Sequence, residues 1–141
     1  MKGIVSKANI SREQINKACD LHLAGEYICS LTLAGSSDSL THELNQGRGQ
    51  DSGDSWHIKF IRFWREKSGL PSPSKREINY QKNWARNLVK HHNAGEAEEI
   101  EINLEFESFL AIKRSIENYQ RLGHPRTEIM ERFNEQTREC G

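Results

Sequence analysis

The stretch 74–92, SKREINYQKNWARNLVKHH, has the clearest helical pattern in this chain. Ser74 with Glu77 three positions later forms a capping box, in which each side chain satisfies a backbone N–H at the start of a helix. The polar run 93–95 ends the pattern, because asparagine and glycine are common just past a helix. We therefore predict one helix from about Lys75 to His92. Its apolar face comprises Ile78, Ala85, Leu88 and Val89, with Trp84 at the edge.

The other face of this predicted helix is polar. It carries Asn79, Asn83, Arg86, Asn87 and Lys90. Asparagine is a poor helix former, so three asparagines on an exposed face indicate that something other than helix stability selected them. His91 lies four residues beyond Asn87 and is its neighbour on the helix surface, whereas His92 turns toward the apolar face. His91 is therefore the histidine that we expect to contact a substrate.

Arg86 and His91 lie about 140° apart around the predicted helix, given an advance of about 100° per residue. One helix cannot close both side chains around a small atom. A cleft shared with a second helix, or with the same helix of a twin subunit, could bring them together. A site built on these residues therefore needs another surface.

Two helical segments precede this region. Ser11 and Gln14 have capping-box spacing, and Ile10 and Ile15 are placed as a hydrophobic staple, which predicts a first helix starting near Ser11. Gly25 marks a bend, after which an apolar pattern continues to about residue 44. The segment is thus one long bent helix or a tight pair of helices. Small residues within 34–39 predict a close crossing with another helix.

The segment 45–55 has the glycine-rich composition of a loop, and the segment 56–67 is again periodic. Four aromatic side chains fall on one side of it: Trp56, Phe60, Phe63 and Trp64. They could stack nucleic-acid bases among the neighbouring arginines, but core packing is the favoured interpretation. The segment 70–73, with two prolines, forms a stiff connection to the helix that follows.

In the carboxyl-terminal third of the chain, the spacing of the apolar residues changes. Apolar and polar residues alternate over 100–106, which is the pattern of a short extended segment. A helical pattern follows to about Leu122 and ends at 123–125, and a last helix is expected around 127–137. We predict an all-α, up-and-down bundle of four or five helices that forms a single domain over residues 1–141.

Composition limits the classes of function. The chain has 20 basic and 20 acidic residues, so no net charge attracts nucleic acid or an anionic membrane over a distance. Ten bases fall within 48–90 and six glutamates within 96–107, which allows one basic surface and one acidic strip. No apolar run reaches the length of a membrane span or a signal peptide, and three scattered cysteines suit a reducing compartment. We expect a cytoplasmic protein.

Metal and cofactor sites are not indicated. The six histidines are scattered, and none has the His-Glu-x-x-His spacing of a zinc protease. The chain has no glycine loop for phosphate and no internal repeat. We therefore expect no metal and no cofactor.

Arg86-Asn87, three further residues and then His91 resemble the motif of the HEPN superfamily, in which an arginine and a polar residue precede a histidine. The segments 18–27 and 34–38 are similar to the opening helices of that superfamily, with Ser36-Ser37-Asp38 in place of a small-small-glutamate pattern. HEPN domains are helical bundles that often dimerise around a groove between two motif helices. Many are metal-independent ribonucleases, and others are inactive or bind nucleotides.

The resemblance implies roles for five residues. His91 would be the general base or acid, since histidine exchanges protons near neutral pH, and Arg86 would clamp the phosphate with its planar fork. Asn87 would orient the substrate, and Asn83 and Lys90 would contact RNA outside the reacting bond. The implied protein is a homodimeric endoribonuclease, with an antitoxin-like protein as a further partner.

Two other functions stay open. A non-catalytic HEPN-like module could bind a nucleotide, an RNA or a protein in the same groove. A structural interaction domain would have no active site at all. In that case Arg86 and Lys90 form a solvated basic face, and His91 and His92 are favoured only by the helix dipole.

Overall fold

The computed structural model describes residues 2–50 and 54–138, with side chains in the second range from residue 56 onward. These residues form α-helices and no strand, which confirms the all-α prediction. The helices number six, because the segment 7–47 is a tight pair and not one bent helix. They are α1 (Lys7–Leu23), α2 (Tyr27–Gly47), α3 (Asp54–Lys67), α4 (Lys75–Leu88), α5 (Leu104–Arg121) and α6 (Glu128–Gln136).

The predicted start of the first helix is wrong by one turn. Ser6 is the N-cap of α1, and its side chain accepts a hydrogen bond from the Asn9 N–H. Ser11 is completely buried inside the helix, where its carbonyl accepts a hydrogen bond from the Ser37 hydroxyl at 3.5 Å. Either serine could cap a helix through its hydroxyl. Because Ser11 is buried against α2, the N-cap is Ser6.

The α1–α2 pair turns at Gly25, whose positive φ of 80° suits glycine. The Ser30 hydroxyl donates to the Ala18 carbonyl at 2.8 Å, so the two helices lie close together. One turn further along α2, the Ser115 hydroxyl of α5 donates to the Ala34 carbonyl at 3.0 Å. Small side chains permit both approaches, which confirms the close crossing predicted for 34–39.

The hydrophobic core lies between α1, α2 and α5, with α6 closing one side. Its completely buried apolar side chains are Ile15, Ala18, Cys19, Ala34, Ala111, Ile112, Met130 and Phe133. The predicted last helix is thus present as α6 and packs through Met130 and Phe133, as expected from its periodicity.

Helices α3 and α4 form an outer layer against α2 and α5. Phe60 of α3 is buried and stacks on Trp56, but Phe63 and Trp64 are 52% and 45% exposed. The prediction of an aromatic core face therefore holds for part of α3. Of the predicted loop 45–55, residues 45–47 continue α2, 48–50 form a turn, and 51–53 lie outside the described residues.

Two predicted boundaries around α4 and α5 are wrong. The extended segment at 100–106 is absent, because Asn103 caps α5 by accepting the Phe106 N–H, and residues 104–106 are already helical. Glutamates in that first turn favour a helix start through the helix dipole. Helix α4 ends at Leu88 and not at His92, and residues 90–92 are exposed, so burial of an apolar face does not extend the helix over them.

None of the helices in the described part of the chain is both long enough and apolar enough to cross a membrane.

Candidate functional site

Arg86 is the first candidate residue that the fold places in a specific environment. Its aliphatic stem packs on Gly35 of α2 so closely that a Cβ atom at Gly35 would lie 3.0 Å from the Arg86 Cγ. The Arg86 guanidinium lies 3.9 Å from the Asp38 carboxylate and donates a hydrogen bond to the Asn83 Oδ1 at 2.8 Å. With a side chain only 21% exposed, Arg86 is not part of a freely solvated basic face.

Asp38 belongs to a buried polar cluster, which we define as Asp38, His57, Arg114 and Asn118. The Arg114 Nε donates to the Asp38 Oδ2 at 2.9 Å, and the Asn118 Nδ2 donates to the other carboxylate oxygen at 3.3 Å. The Arg114 side chain is 2% exposed, so its charge needs this partner inside the fold. The cluster links α2, α3 and α5 at the point where Arg86 reaches in from α4.

The two arginines share one carboxylate unequally. Arg114 approaches Asp38 to 2.9 Å and Arg86 only to 3.9 Å, so the Asp38 charge is committed mainly to Arg114. A further carboxyl group, Glu107, interacts electrostatically with Arg114, and burial raises the pKa of Glu107. The edge of the cluster at Arg86 is therefore electropositive and suited to an anion such as phosphate.

Three of the predicted residues converge on one groove, which we call the α4 groove. Asn83 and Asn87 of α4 and His91 just beyond it line a cavity of about 580 Å³. The His91 N–H still donates to the Asn87 carbonyl at 3.0 Å, so the two residues stay neighbours although the helix has ended. The remaining lining residues are Tyr80, Trp84, Leu88, Asn93, Glu96, Ala97 and Ile100.

Arg86 and Lys90 do not line this groove. Lys90 is exposed, and Arg86 turns toward α2 and touches the groove only through its hydrogen bond to Asn83. In one chain, Asn83, Asn87 and His91 therefore line the α4 groove, and Arg86 lies next to it. That a second surface brings Arg86 and His91 together stays a prediction.

The polar cluster was not predicted as a site. His57, Arg114 and Asn118 lie in helices that the sequence indicated, yet none was singled out there. A signal was available in α5, where Leu110, Arg114 and Asn118 recur every four residues and so share one buried face. Polar side chains on the apolar stripe of a helix predict a buried network.

The chemistry available at the α4 groove is proton transfer and hydrogen bonding. Histidine is the side chain suited to proton exchange near neutral pH, and two amides offer donors and acceptors for bases or sugars. Within the described ranges 2–50 and 54–138, no three histidine, cysteine or acidic side chains are grouped to hold a metal ion.

Comparison of this chain with protein-family models, with curated proteins and with solved structures gave no match.

Proposed function

We propose that this chain is a HEPN-like, metal-independent endoribonuclease whose α4 groove binds RNA. One observation supports the proposal most directly. Two of the segments that resemble the superfamily, 34–38 and 86–91, are far apart in sequence, and they are in contact through Gly35, Asp38 and Arg86. If both segments resembled the superfamily only by chance, there would be no reason for them to lie in contact in the fold.

In the proposed reaction His91 takes the proton of the ribose 2′-hydroxyl, and the 2′-oxygen bonds to the neighbouring phosphorus. The bond from phosphorus to the 5′-oxygen then breaks, and that oxygen receives a proton from a second acid. The products are a 2′,3′-cyclic phosphate and a 5′-hydroxyl end. Arg86 stabilises the extra negative charge on the phosphorane, and Asn83 and Asn87 hold the neighbouring nucleotides.

The reaction requires Arg86 and His91 around one phosphate, and one chain does not place both along the α4 groove. We propose that a second copy of the chain completes the site, so that one protomer supplies the arginine and its partner the histidine. His91 would then serve as the base, and the leaving 5′-oxygen would take its proton from water.

RNA cleavage in the presence of EDTA tests the proposal. His91→Ala should lower the cleavage rate by about 100-fold or more, because a general acid or base contributes about that much. Arg86→Ala should lower it similarly, while Lys17→Ala, an exposed lysine on α1, should leave it unchanged. Cleavage by His91→Ala at the wild-type rate would remove His91 from the mechanism.

A second function, RNA binding without cleavage, is favoured by the separation of Arg86 from the groove. Binding of 2′-O-methyl RNA, which lacks the nucleophile, measures this function alone. Asn83→Ala and Asn87→Ala should weaken that binding, and Lys17→Ala should not. Tight binding together with no cleavage of ordinary RNA would support the non-catalytic function over the ribonuclease.

A further inference from the structure

A second cavity, of about 750 Å³, lies between α3, α4 and the start of α5. We call it the α3–α4 cavity. It shares only Tyr80 with the α4 groove among the described residues, so it is a separate feature of the outer layer. Its volume falls within the range of small-molecule sites, roughly 300–1,000 Å³.

The walls of this cavity are apolar and partly aromatic. Trp64 of α3 and Phe106 of α5 approach with ring centroids 5.4 Å apart, and Trp64 keeps 45% of its surface exposed. Ile78 and Leu110 are buried behind them, each 3% exposed. A flat apolar ligand placed against these side chains would bury the part of the Trp64 ring that is exposed.

Two buried polar residues, His57 and Glu107, line the deep part of the cavity. The Arg114 Nη1 lies 3.4 Å from the His57 Nδ1, and a guanidinium can only donate a hydrogen bond. His57 Nδ1 is therefore the acceptor, and the neutral ring carries its proton on Nε2. The buried polar cluster thus fixes the tautomer of a histidine that lines the cavity.

The remaining lining residues give the cavity a basic character. Arg65, Arg76 and Lys82 line it together with a single further carboxylate, Glu77. Glu77 is engaged in the capping box of α4, where it accepts a hydrogen bond from the Ser74 N–H at 3.3 Å. Three cations line the cavity against two carboxyl groups, Glu77 in the helix cap and Glu107 beside Arg114, and this balance favours a negatively charged ligand.

We infer that the α3–α4 cavity binds a small organic anion with a flat apolar body, a carboxylate or a phosphate ester of an aromatic group. The anionic group contacts Arg65 and Arg76, and the ring packs against Trp64 and Phe106. This site is independent of the proposed ribonuclease activity, since none of its residues takes part in RNA cleavage.

The three tryptophans of the chain make a direct test possible, because each reports on a different place. Trp64 lines the α3–α4 cavity and also a cavity formed with α1, α5 and α6, Trp84 lines the α4 groove, and Trp56 stacks on Phe60. The Arg65 and Arg76 variants distinguish the two cavities that Trp64 lines. The full chain labelled with ¹⁵N is titrated with 2-naphthoate, 2-naphthyl phosphate and the neutral 2-naphthalenemethanol. The shifts of the three indole N–H signals in NMR spectra are followed.

We expect the anions to shift the Trp64 signal and the neutral alcohol to bind about tenfold more weakly or not at all, as when one charged contact is lost. Stronger binding of the phosphate or of the carboxylate identifies the anion. The variant R65Q/R76Q should weaken binding of the preferred anion about tenfold, while Lys17→Gln and His91→Ala retain it. Equal binding of the alcohol, or shifts at Trp84 alone, or no shift of Trp64 with any probe, would overturn the inference.

Discussion

The inner helices and the outer layer of this protein are packed very differently. Helices α1, α2, α5 and α6 supply the apolar side chains that are completely buried. Helices α3 and α4 contribute three well-buried apolar residues, Phe60, Ile78 and Ala85, and leave Phe63, Trp64 and Tyr80 substantially exposed. The α3–α4 cavity and the α4 groove lie along this outer layer, whereas a further cavity of about 530 Å³ is lined mainly by residues of the inner helices and their ends. The completely buried apolar side chains are therefore in a different part of the chain from the α3–α4 cavity and the α4 groove.

The buried polar cluster connects the two regions. Asp38 and Arg114 belong to the inner helices, and they hold His57 of α3 and reach Arg86 of α4. Polar contacts are directional, so they fix the position of the outer layer where apolar contact is sparse. A layer held in this way suits ligand binding, because regions with few apolar contacts open at low free energy.

The largest expected effect is a contrast between two identical substitutions. Phe133→Ala, in the inner helices, should lower the free energy of unfolding by about 4 kcal/mol, because a large buried ring leaves a cavity. Phe63→Ala, on a ring that is 52% exposed, should lower it by less than about 1 kcal/mol. Urea unfolding followed by circular dichroism measures both. Similar losses for the two variants would mean that the layers do not differ in stability.

The connection between the regions is tested by Asp38→Asn. This change keeps the shape of the side chain but leaves the Arg114 guanidinium buried without its carboxylate. We expect a loss of about 3 kcal/mol in the free energy of unfolding, as found when one partner of a buried ion pair is removed.

The control for that experiment removes both charges. Asp38→Leu combined with Arg114→Met replaces the pair with apolar side chains, so no buried charge stays unpaired, and the double variant should lose much less stability than Asp38→Asn. A double variant that is as unstable as Asp38→Asn would show that the pair stabilises the fold through its hydrogen bonds to Asn118 and His57 as well.

The parts of this fold that were predictable depend on local interactions. The capping box of Ser74 and Glu77 and the turn at Gly25 involve neighbours in sequence, so their patterns are visible without the fold. The start of α1 was not predictable in this way, because Ser6 and Ser11 have the same capping chemistry. The choice between them depends on α2, which buries Ser11.

The candidate site shows the same division. Asn83, Asn87 and His91 lie on one groove because they are four residues apart along one segment, a relation that the sequence contains. The partner of Arg86 comes from another helix, and no spacing within 74–92 indicates Asp38. Buried polar contacts between helices depend on the tertiary arrangement, and they explain why Arg114 and His57 were missed.

A smaller effect is expected from Glu107→Gln at the α3–α4 cavity. Burial raises the pKa of Glu107. The nearby Arg114 charge and a hydrogen bond with Gln81 lower it, but they offset only part of the rise. The folded protein therefore holds the proton more tightly than the unfolded chain. Tighter proton binding by Glu107 increases the free energy of unfolding. This contribution is fully present below pH 4.5, the pKa of Glu107 in the unfolded chain, and it is lost as the pH rises through the pKa of Glu107 in the folded protein.

Glutamine resembles the protonated acid at every pH. Glu107→Gln should therefore match the wild type near about pH 4 and become the more stable protein near about pH 7. Urea unfolding of both proteins across this range gives the difference directly, since other titrating groups cancel in the comparison. A wild-type protein that gains stability relative to the variant as the pH rises would show that the Glu107 charge is favoured in the fold.

The smallest effect is a difference in reactivity that does not depend on a change in the fold. Burial, with the nearby Asp20 charge, raises the pKa of the Cys19 thiol from 9.0 to about 12, whereas Cys29 is exposed on α2. Iodoacetamide reacts with the thiolate, so at about pH 8 it should label Cys29 quickly and Cys19 only when the inner helices open. Mass spectrometry of the separate peptides distinguishes the two and leaves aside Cys140, which lies outside the described residues. Addition of urea should bring Cys19 to the rate of Cys29, and equal rates without urea would contradict the tight packing assigned to the inner helices.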